Sequence, residues 1–188
     1  MKPTVAPTAP EEILQHVWQQ LTRATVDRHH EWRTPVLSTV GLDGTPQART
    51  VLLRQATVVE PTLTMFTDRR STKVTELSRQ PAAVLVFWSK RLNRQCRISM
   101  MVTVVTAGAA VNAAWQRIAN SAGAKDFLAP IAPGAPKDRN VGTQATQPAQ
   151  HYLALLVGRP TSIDWLQLGR PMHRRIRFCQ NTWQELEA

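Results

Sequence analysis

A β-barrel with peripheral helices is the fold class this sequence predicts, mainly β with an α+β mix. Three observations predict it. Strand-length segments of alternating or continuous apolar character recur from residue 35 to the end of the 188-residue chain. Most are joined by short connections, which makes neighbouring strands antiparallel. Only about three segments carry a helical period, too few for a βαβ array.

The elements follow in order. Residues 1–9 are rich in Pro, Thr and Ala and read as a loose tail, leaving 10–188 as a single domain. Pro10-Glu11-Glu12 suits a helix start, because Pro fits the first turn and acids complement the positive end of the dipole. Leu14, Trp18, Leu21 and Ala24 then recur at helical spacing, so a helix is expected to about Asp27. Pro35 to Gly41 and Gln47 to Arg54 read as two strands around a Leu42-Asp43-Gly44-Thr45 turn, where Asp-Gly readily takes positive φ. Leu63 to Thr67 is the next strand, and Ser71 to Arg79 a short helix ended by Pro81. The apolar run Ala82 to Trp88 is expected to be buried on both faces. In Gln95 to Val105 apolar and polar positions alternate, giving a long strand with two different faces. Gly108 to Ser121 has Val111, Ala114, Trp115 and Ile118 on one side of a helix. Residues 123–150 shift to Ala, Pro, Gly and Gln and read as a long loop, of the length that marks a functional lid or disorder. Tyr152 to Val157, Thr161 to Trp165 and Arg174 to Cys179 are three more strands, with a terminal piece at Trp183 to Leu186.

Composition narrows the function. Hydrophobic residues at 43% and charged residues at 19% match a folded globular chain. No apolar run approaches the ~20 residues a membrane helix needs. Met1 to Pro7 lacks the apolar core of a secretory signal, so a cytoplasmic location is expected. Cys96 and Cys179 are too few for a disulfide scaffold or a four-thiolate metal site, and Cys96 reads as a buried apolar residue. His29 and His30 are adjacent and would diverge on a helix, so no metal site is expected. The net charge of +10 calls for anions: nucleic acid, an acidic surface or a phosphorylated small molecule. The cations are scattered and no nucleic-acid motif is present, which weighs against a nucleic-acid partner.

One segment concentrates the charge. In Asp68-Arg69-Arg70-Ser71-Thr72-Lys73, Ser71 is a good N-cap, yet three cations sit where the helix dipole is positive. A bound phosphate resolves that conflict, held by free N–H groups, the two hydroxyls and the Lys73 ammonium. The alternative is that the long side chains splay into solvent. Arg49 and Arg54 pose a related question, since their odd spacing puts them on opposite faces of a regular strand. Both can serve one ligand only if the strand bends or ends near Arg54.

Arg49-Thr50-Val51-Leu52-Leu53-Arg54, Phe66-Thr67, Ser71-Thr72-Lys73 and Asn93-Arg94-Gln95, in this order and spacing, resemble the pyridoxamine 5′-phosphate oxidase family, the FMN-binding split barrels. Trp165 followed by His173-Arg174-Arg175 resembles that family's last flavin-contacting motif. The chain is more similar to a subgroup described only as FMN-binding than to the oxidase itself. The resemblance implies a six-stranded antiparallel split barrel, FMN as cofactor, and a homodimer with FMN at the subunit interface. It implies that Arg49, Thr50, Val51, Leu52 and Leu53 lie along the flavin ring, and that Phe66 and Thr67 line its ribityl side. Ser71, Thr72 and Lys73 would hold the phosphate, and Gln95 would hydrogen-bond the ring. Trp165 and Arg175 would come from the neighbouring subunit, Arg175 favouring electron uptake, with His173 a second catalytic candidate beside it. Arg54 would face substrate. The chain departs from the oxidase at Thr72, where Arg is frequent, at Arg54, where Lys is usual, and at Pro171, where the oxidase has Arg. Ala113 to Gly123 offers no match to the oxidase's substrate-phosphate residues. An FMN-dependent oxidoreductase of unknown small-molecule substrate is therefore expected, against a non-catalytic flavin-binding or redox-sensing module as the alternative.

Overall fold

The computed structural model describes residues 9–136, 151–180 and 182–188. Residues 1–8 of the expected tail at 1–9, and the 137–150 part of the expected loop, lie outside these residues. The first helix, α1 (Pro10–Val26), opens with Pro10, Glu11 and Glu12 and buries Ile13, Val17, Leu21 and Ala24. Those positions repeat every three or four residues, so one stripe meets the core. A 3-10 turn at Glu31–Arg33 then drives Trp32 into the interior.

Nine strands form one open sheet: β1 (Val36–Val40), β2 (Pro46–Thr50), β3 (Leu53–Thr57), β4 (Thr62–Asp68), β5 (Ala82–Ser89), β6 (Arg94–Val105), β7 (Leu153–Gln167), β8 (Arg174–Cys179) and β9 (Thr182–Leu186). The order is β2-β1-β5-β6-β7-β4-β3, with β8 and β9 continuing from the far half of β7. Every pairing is antiparallel. β7 carries β4 on residues 153–158 and β8 on 162–167, while β6 pairs along its whole length. The sheet curls around its core without closing, which is a split barrel, as the sequence predicts.

The Asp-Gly turn forms as expected: Gly44 has φ +83°, and the Asp43 carboxylate accepts from the Thr45 N–H at 3.0 Å and its hydroxyl at 2.7 Å. Two strand readings differ from the structure. Gln47 to Arg54 is not one strand: it breaks at Val51-Leu52 into β2 and β3, and β3 bulges at Arg54. Tyr152 to Val157 and Thr161 to Trp165 are halves of one strand, β7. Pro160 interrupts nothing because it stands at the β6–β7 bulge, where a missing N–H costs no ladder bond. Gly158 nearby is needed for close approach, since a Cβ there would lie 2.2 Å from the Met100 sulfur.

Helix α2 (Thr72–Arg79) joins β4 to β5, and α3 (Ala109–Ile118) follows β6. The expected loop after α3 starts with a 3-10 turn at Ala122–Phe127, whose Phe127 packs with Val111, Ala114 and Ile118 in a satellite core. Within β5 the burial alternates, with Ala83, Leu85 and Phe87 inside and Trp88 exposed. The expectation that this run is buried on both faces is thus corrected: the outer face of the sheet is uncovered in a single chain. No helix among the described residues is long and apolar enough to cross a membrane.

Candidate functional site

The turn from β4 into α2 builds the most reactive arrangement of charge. Thr67 is the last residue but one of β4 and Ser71 stands at the N-cap position, both buried. The Ser71 hydroxyl makes no bond to the helix N–H groups. It lies instead 3.1 Å from Thr67 Oγ1, which also accepts from Lys73 Nζ at 3.3 Å. The hydroxyl-capping role read from sequence is therefore corrected: Ser71 stands at the N-cap, but its side chain meets the Thr67 hydroxyl rather than its own helix.

Lys73 is half-buried, and among the described residues it forms no ion pair. Burial first, and then the charge of Arg49, push its pKa below the ordinary lysine value, against the weaker pull of Glu76 and Asp68. Arg49 arrives from β2, 24 positions earlier in the chain, by simple strand geometry. It stands opposite Leu37 in the β1–β2 ladder, so its side chain shares the inner face with Leu37 and Thr39. Its guanidinium donates to Glu76 Oε2 at 2.9 Å and to the Thr39 hydroxyl, which donates to the same carboxylate at 2.6 Å. The one buried carboxylate is thus taken up by Arg49 and Thr39, and with Lys73 beside it the cluster keeps excess positive charge.

The other cations of the turn are occupied. Arg70 chelates Asp68 through Nε at 3.0 Å and a terminal nitrogen at 2.7 Å, donates to the Ala129 and Pro130 carbonyls, and stacks 3.4 Å from the Tyr152 ring centroid. Arg69 lies over the same ring at 5.3 Å. Of the three cations that looked misplaced at the helix start, Lys73 is left with a single hydroxyl as its hydrogen-bond partner among the described residues. Thr72 is exposed.

Arg54 is the bulge residue of β3, and a bulge re-aims a side chain. The strand break and bulge meet the condition set by its spacing from Arg49. Its guanidinium lies 5.1 Å from the Phe66 ring, and its buried Nε has no partner among the described residues. Burial and Arg33 lower its pKa, opposed by Asp126. Thr50 is exposed, Val51 and Leu52 are half-buried, and Leu53 is in the core. The Val51 N–H is already donated to the Pro35 carbonyl at 2.9 Å.

The remaining predicted residues lie elsewhere on the sheet. Gln95 is half-buried between Trp88 on β5 and Leu166 on β7, and Leu166 pairs with Arg175 on β8, so Gln95 and Arg175 share the outer face. Arg175 is tied to Asp164 by Nε at 3.0 Å and a terminal nitrogen at 2.8 Å. Arg97 and Arg177 reach the same carboxylate at 2.8 and 3.3 Å. Burial would raise the Asp164 pKa, but hydrogen bonds from Arg175 and Arg97, with their charges, outweigh it and hold the group at about 2. Trp165 is buried in its own chain's core, and His173 is exposed, its Nδ1 accepting from the Gly169 N–H at 3.2 Å. Trp115 is half-buried and stacks on His151 at 4.3 Å. No group of three or more metal-ligating side chains occurs among the described residues. Sequence reasoning missed Glu76 and Asp164; an acid three residues after Lys73 was a visible signal, whereas the arginines around Asp164 meet it only through strand pairing.

Comparison with known proteins places this geometry. The family model for the pyridoxamine 5′-phosphate oxidase FMN-binding domain matches residues 15–106. The pyridoxine/pyridoxamine 5′-phosphate oxidase of Salinibacter ruber is 31% identical over 154 residues, covering 76% of this chain and 70% of that protein. The chain belongs to the pyridoxamine 5′-phosphate oxidase FMN-binding family. The oxidase of Thermosynechococcus vestitus is 40% identical over 99 residues, 53% of this chain, and the match spans 46% of that relative's length. A second, from Cyanothece, matches over 32% of its length at 44% identity. This chain thus spans about half the length, or less, of the first curated relatives it matches. In fold it is similar to a pyridoxamine 5′-phosphate oxidase-related, FMN binding protein of Nostoc punctiforme, with a TM-score of 0.73 at 23% identity over 97% of this chain and 100% of that one. PhzG of Burkholderia lata, solved with tetrahydrophenazine-1-carboxylic acid, shares the fold at TM-score 0.65 and 17% identity over 98% of this chain and 95% of that one.

FMN is the family's cofactor, and the residues present fit it. Among the described residues Lys73 has no carboxylate in an ion pair and the Arg54 Nε is a buried donor without an acceptor, while Thr67, with Ser71 next to it, offers hydroxyls near the Lys73 ammonium. An anionic, hydrogen-bonding ligand completes both.

Proposed function

We propose that this chain is an FMN-dependent oxidoreductase that works as a homodimer on a small-molecule substrate, with one site at each subunit interface. The observation that carries this reading is Lys73, a half-buried ammonium that donates to the Thr67 hydroxyl, itself 3.1 Å from the Ser71 hydroxyl, with Arg49 pressing on it and no ion-paired acid among the described residues. In this reading Lys73, Ser71 and the exposed Thr72 hold the FMN phosphate. Arg49, Thr50 and the Val51-Leu52-Leu53 backbone orient the ring, and Phe66 and Thr67 shape the ribityl side. Gln95 donates to the ring edge, and Arg54 offers its free Nε to an anionic substrate group. Bound FMN supplies the chemistry by taking hydride from a reduced substrate.

The second subunit is argued from the outer face of the sheet. Val36, Trp88 and Met101 stand exposed there beside Val84 and Val86, more apolar surface than a lone sheet face usually leaves in water. A second copy covering it would bring its Arg175 and His173 toward the flavin, with Arg175 as the charge near the ring and His173 as a proton carrier, while Trp165 supports β8 from the core.

A flavin-binding module without turnover is the competing reading, and one observation favours it. The charge of Arg175 is balanced by Asp164 within its own chain, so less of it reaches a flavin. Air-saturated assays with amine and nicotinamide donors separate the two. Oxidase reading: FMN-loaded protein consumes a donor and oxygen at a rate that Arg175→Ala lowers at least ~10-fold. A flavin that stays oxidised with every donor establishes the module instead. Protein that takes up no FMN overturns both.

A further inference from the structure

A second anion site is written into the opposite end of the barrel. The Lys73 cluster lies where β4 meets the start of β7, with Thr67 paired to Ala154. Arg94 pairs with Gln167 at the other end of that strand. Beside it a cleft of about 290 Å³ opens between the C-terminal half of α1, the 3-10 turn at Glu31–Arg33 and the β5–β6 connection, with His16, Gln20, Trp32, Arg94 and Trp165 among its walls.

Arg94 sets the chemistry of this cleft. Its side chain is 92% withdrawn from solvent by residue area, being only 8% exposed. Its Nε donates to Gln167 Oε1, and its guanidinium lies 5.5 Å from the Trp165 ring centroid. Among the described residues no carboxylate pairs with it. The acids of the cleft are engaged elsewhere: Glu31 accepts from the Ser89 hydroxyl and the Arg91 N–H, and Asp27 from Arg23 and the His29 N–H. Burial and then Arg91 act against the charged form of Arg94, and burial and then Arg94 act against that of His16. The same wall holds Trp32, whose indole N–H is buried with no acceptor among the described residues. Burying a guanidinium beside other cations, without an acid, is costly. An oxyanion in the cleft supplies the missing charge and an acceptor together.

We propose that this cleft binds a small oxyanion, the carboxylate or phosphate group of a compound that fits about 290 Å³, with Arg94 as its charge partner and Trp32 Nε1 as a second donor. The site is distinct from the flavin groove and does not depend on the flavin reading.

The test is calorimetric titration of FMN-saturated protein, its phosphate groove filled, with inorganic phosphate and separately with benzoate. Should the protein take up no FMN, the protein as purified is titrated, so the two readings fail separately. Binding is expected for at least one anion with a Kd of about 1 mM or tighter. Phosphate alone binding assigns the phosphate class, and benzoate alone the carboxylate class. Arg94→Gln is expected to weaken binding about 10-fold or more. Trp32→Phe, which keeps a ring and removes the N–H, is expected to weaken it about 3-fold or more. The anion should also raise the Tm of the unaltered protein more than that of Trp32→Phe. No heat and no Tm shift with either anion at about 50 mM, or undiminished binding in either variant that folds, overturns the proposal.

Discussion

Two cationic clusters on this sheet each hold one carboxylate and differ in whether that carboxylate reaches every cation. Around Asp164 three arginines converge on an acid that the chain supplies, and the bonds close among themselves. Around Lys73 the chain supplies two hydroxyls and leaves the nearest acid, Glu76, bonded to Arg49 and Thr39. The first cluster is complete in a single chain, and its role is to tie β6, β7 and β8 together. The second is complete only with a ligand. A basic residue is informative about function when its charge is withdrawn from water and unanswered, not when it is merely one of many.

Opposite substitutions sharpen this contrast. The largest effect is expected at Lys73: Lys73→Met should weaken FMN binding about 10- to 100-fold in a fluorescence titration, the worth of one or two charge-assisted bonds. Next is Asp164→Asn, which leaves three guanidinium groups facing one another. Arg97 and Arg177 keep more than 40% of their side-chain area in water, so the loss is set below that of a fully buried pair. It should be about 1–3 kcal/mol, or roughly 3–9 °C in Tm. FMN affinity should change less than about 3-fold in that variant, since none of its direct phosphate contacts is removed. If Asp164→Asn abolishes flavin binding while Lys73→Met spares it, the two clusters have been assigned the wrong way round.

Acid titration gives a third comparison. The Asp164 pKa falls from an ordinary 3.8 to about 2 on folding. A depressed carboxylate stabilises the folded state above its unfolded pKa, and that contribution is lost as pH falls through about 4 toward 2. Thermal melts of the unaltered protein should lose Tm across that window more steeply than those of Asp164→Asn. The smallest effect is the most pointed. In flavin-free protein Lys73 is a lysine with a lowered pKa, so its charged form costs stability at neutral pH, and the cost fades only as pH climbs through that lowered value toward 10.5. Lys73→Met should therefore raise the flavin-free Tm at neutral pH by about 1–2 °C, the reverse of its effect on binding.

Much of the fold was legible. The apolar stripe of α1, the Asp43-Gly44 turn and the alternation along β6 are local signals, and the structure keeps them. The break between β2 and β3 was not, because Val51-Leu52 is as strand-like as its neighbours and only tertiary pairing to different partners separates the halves. The continuity of β7 was hidden by Pro160, whose tolerance depends on a bulge set by β6. At the site, Ser71 and Lys73 could be singled out because local charge conflicted with the helix dipole. The neutralisation of Arg70 by Asp68 and the partnership of Arg175 with Asp164 could not, since each depends on where a backbone turn or a neighbouring strand places a carboxylate.

The ratio of riboflavin to FMN dissociation constants tests the central claim most directly, because the two ligands differ only in the phosphate. The account predicts that the unaltered protein favours FMN by about 30-fold or more and that Lys73→Met brings the ratio close to one, in line with the strength of charge-assisted phosphate contacts. An equal preference for FMN in both proteins would place the phosphate elsewhere and contradict the account.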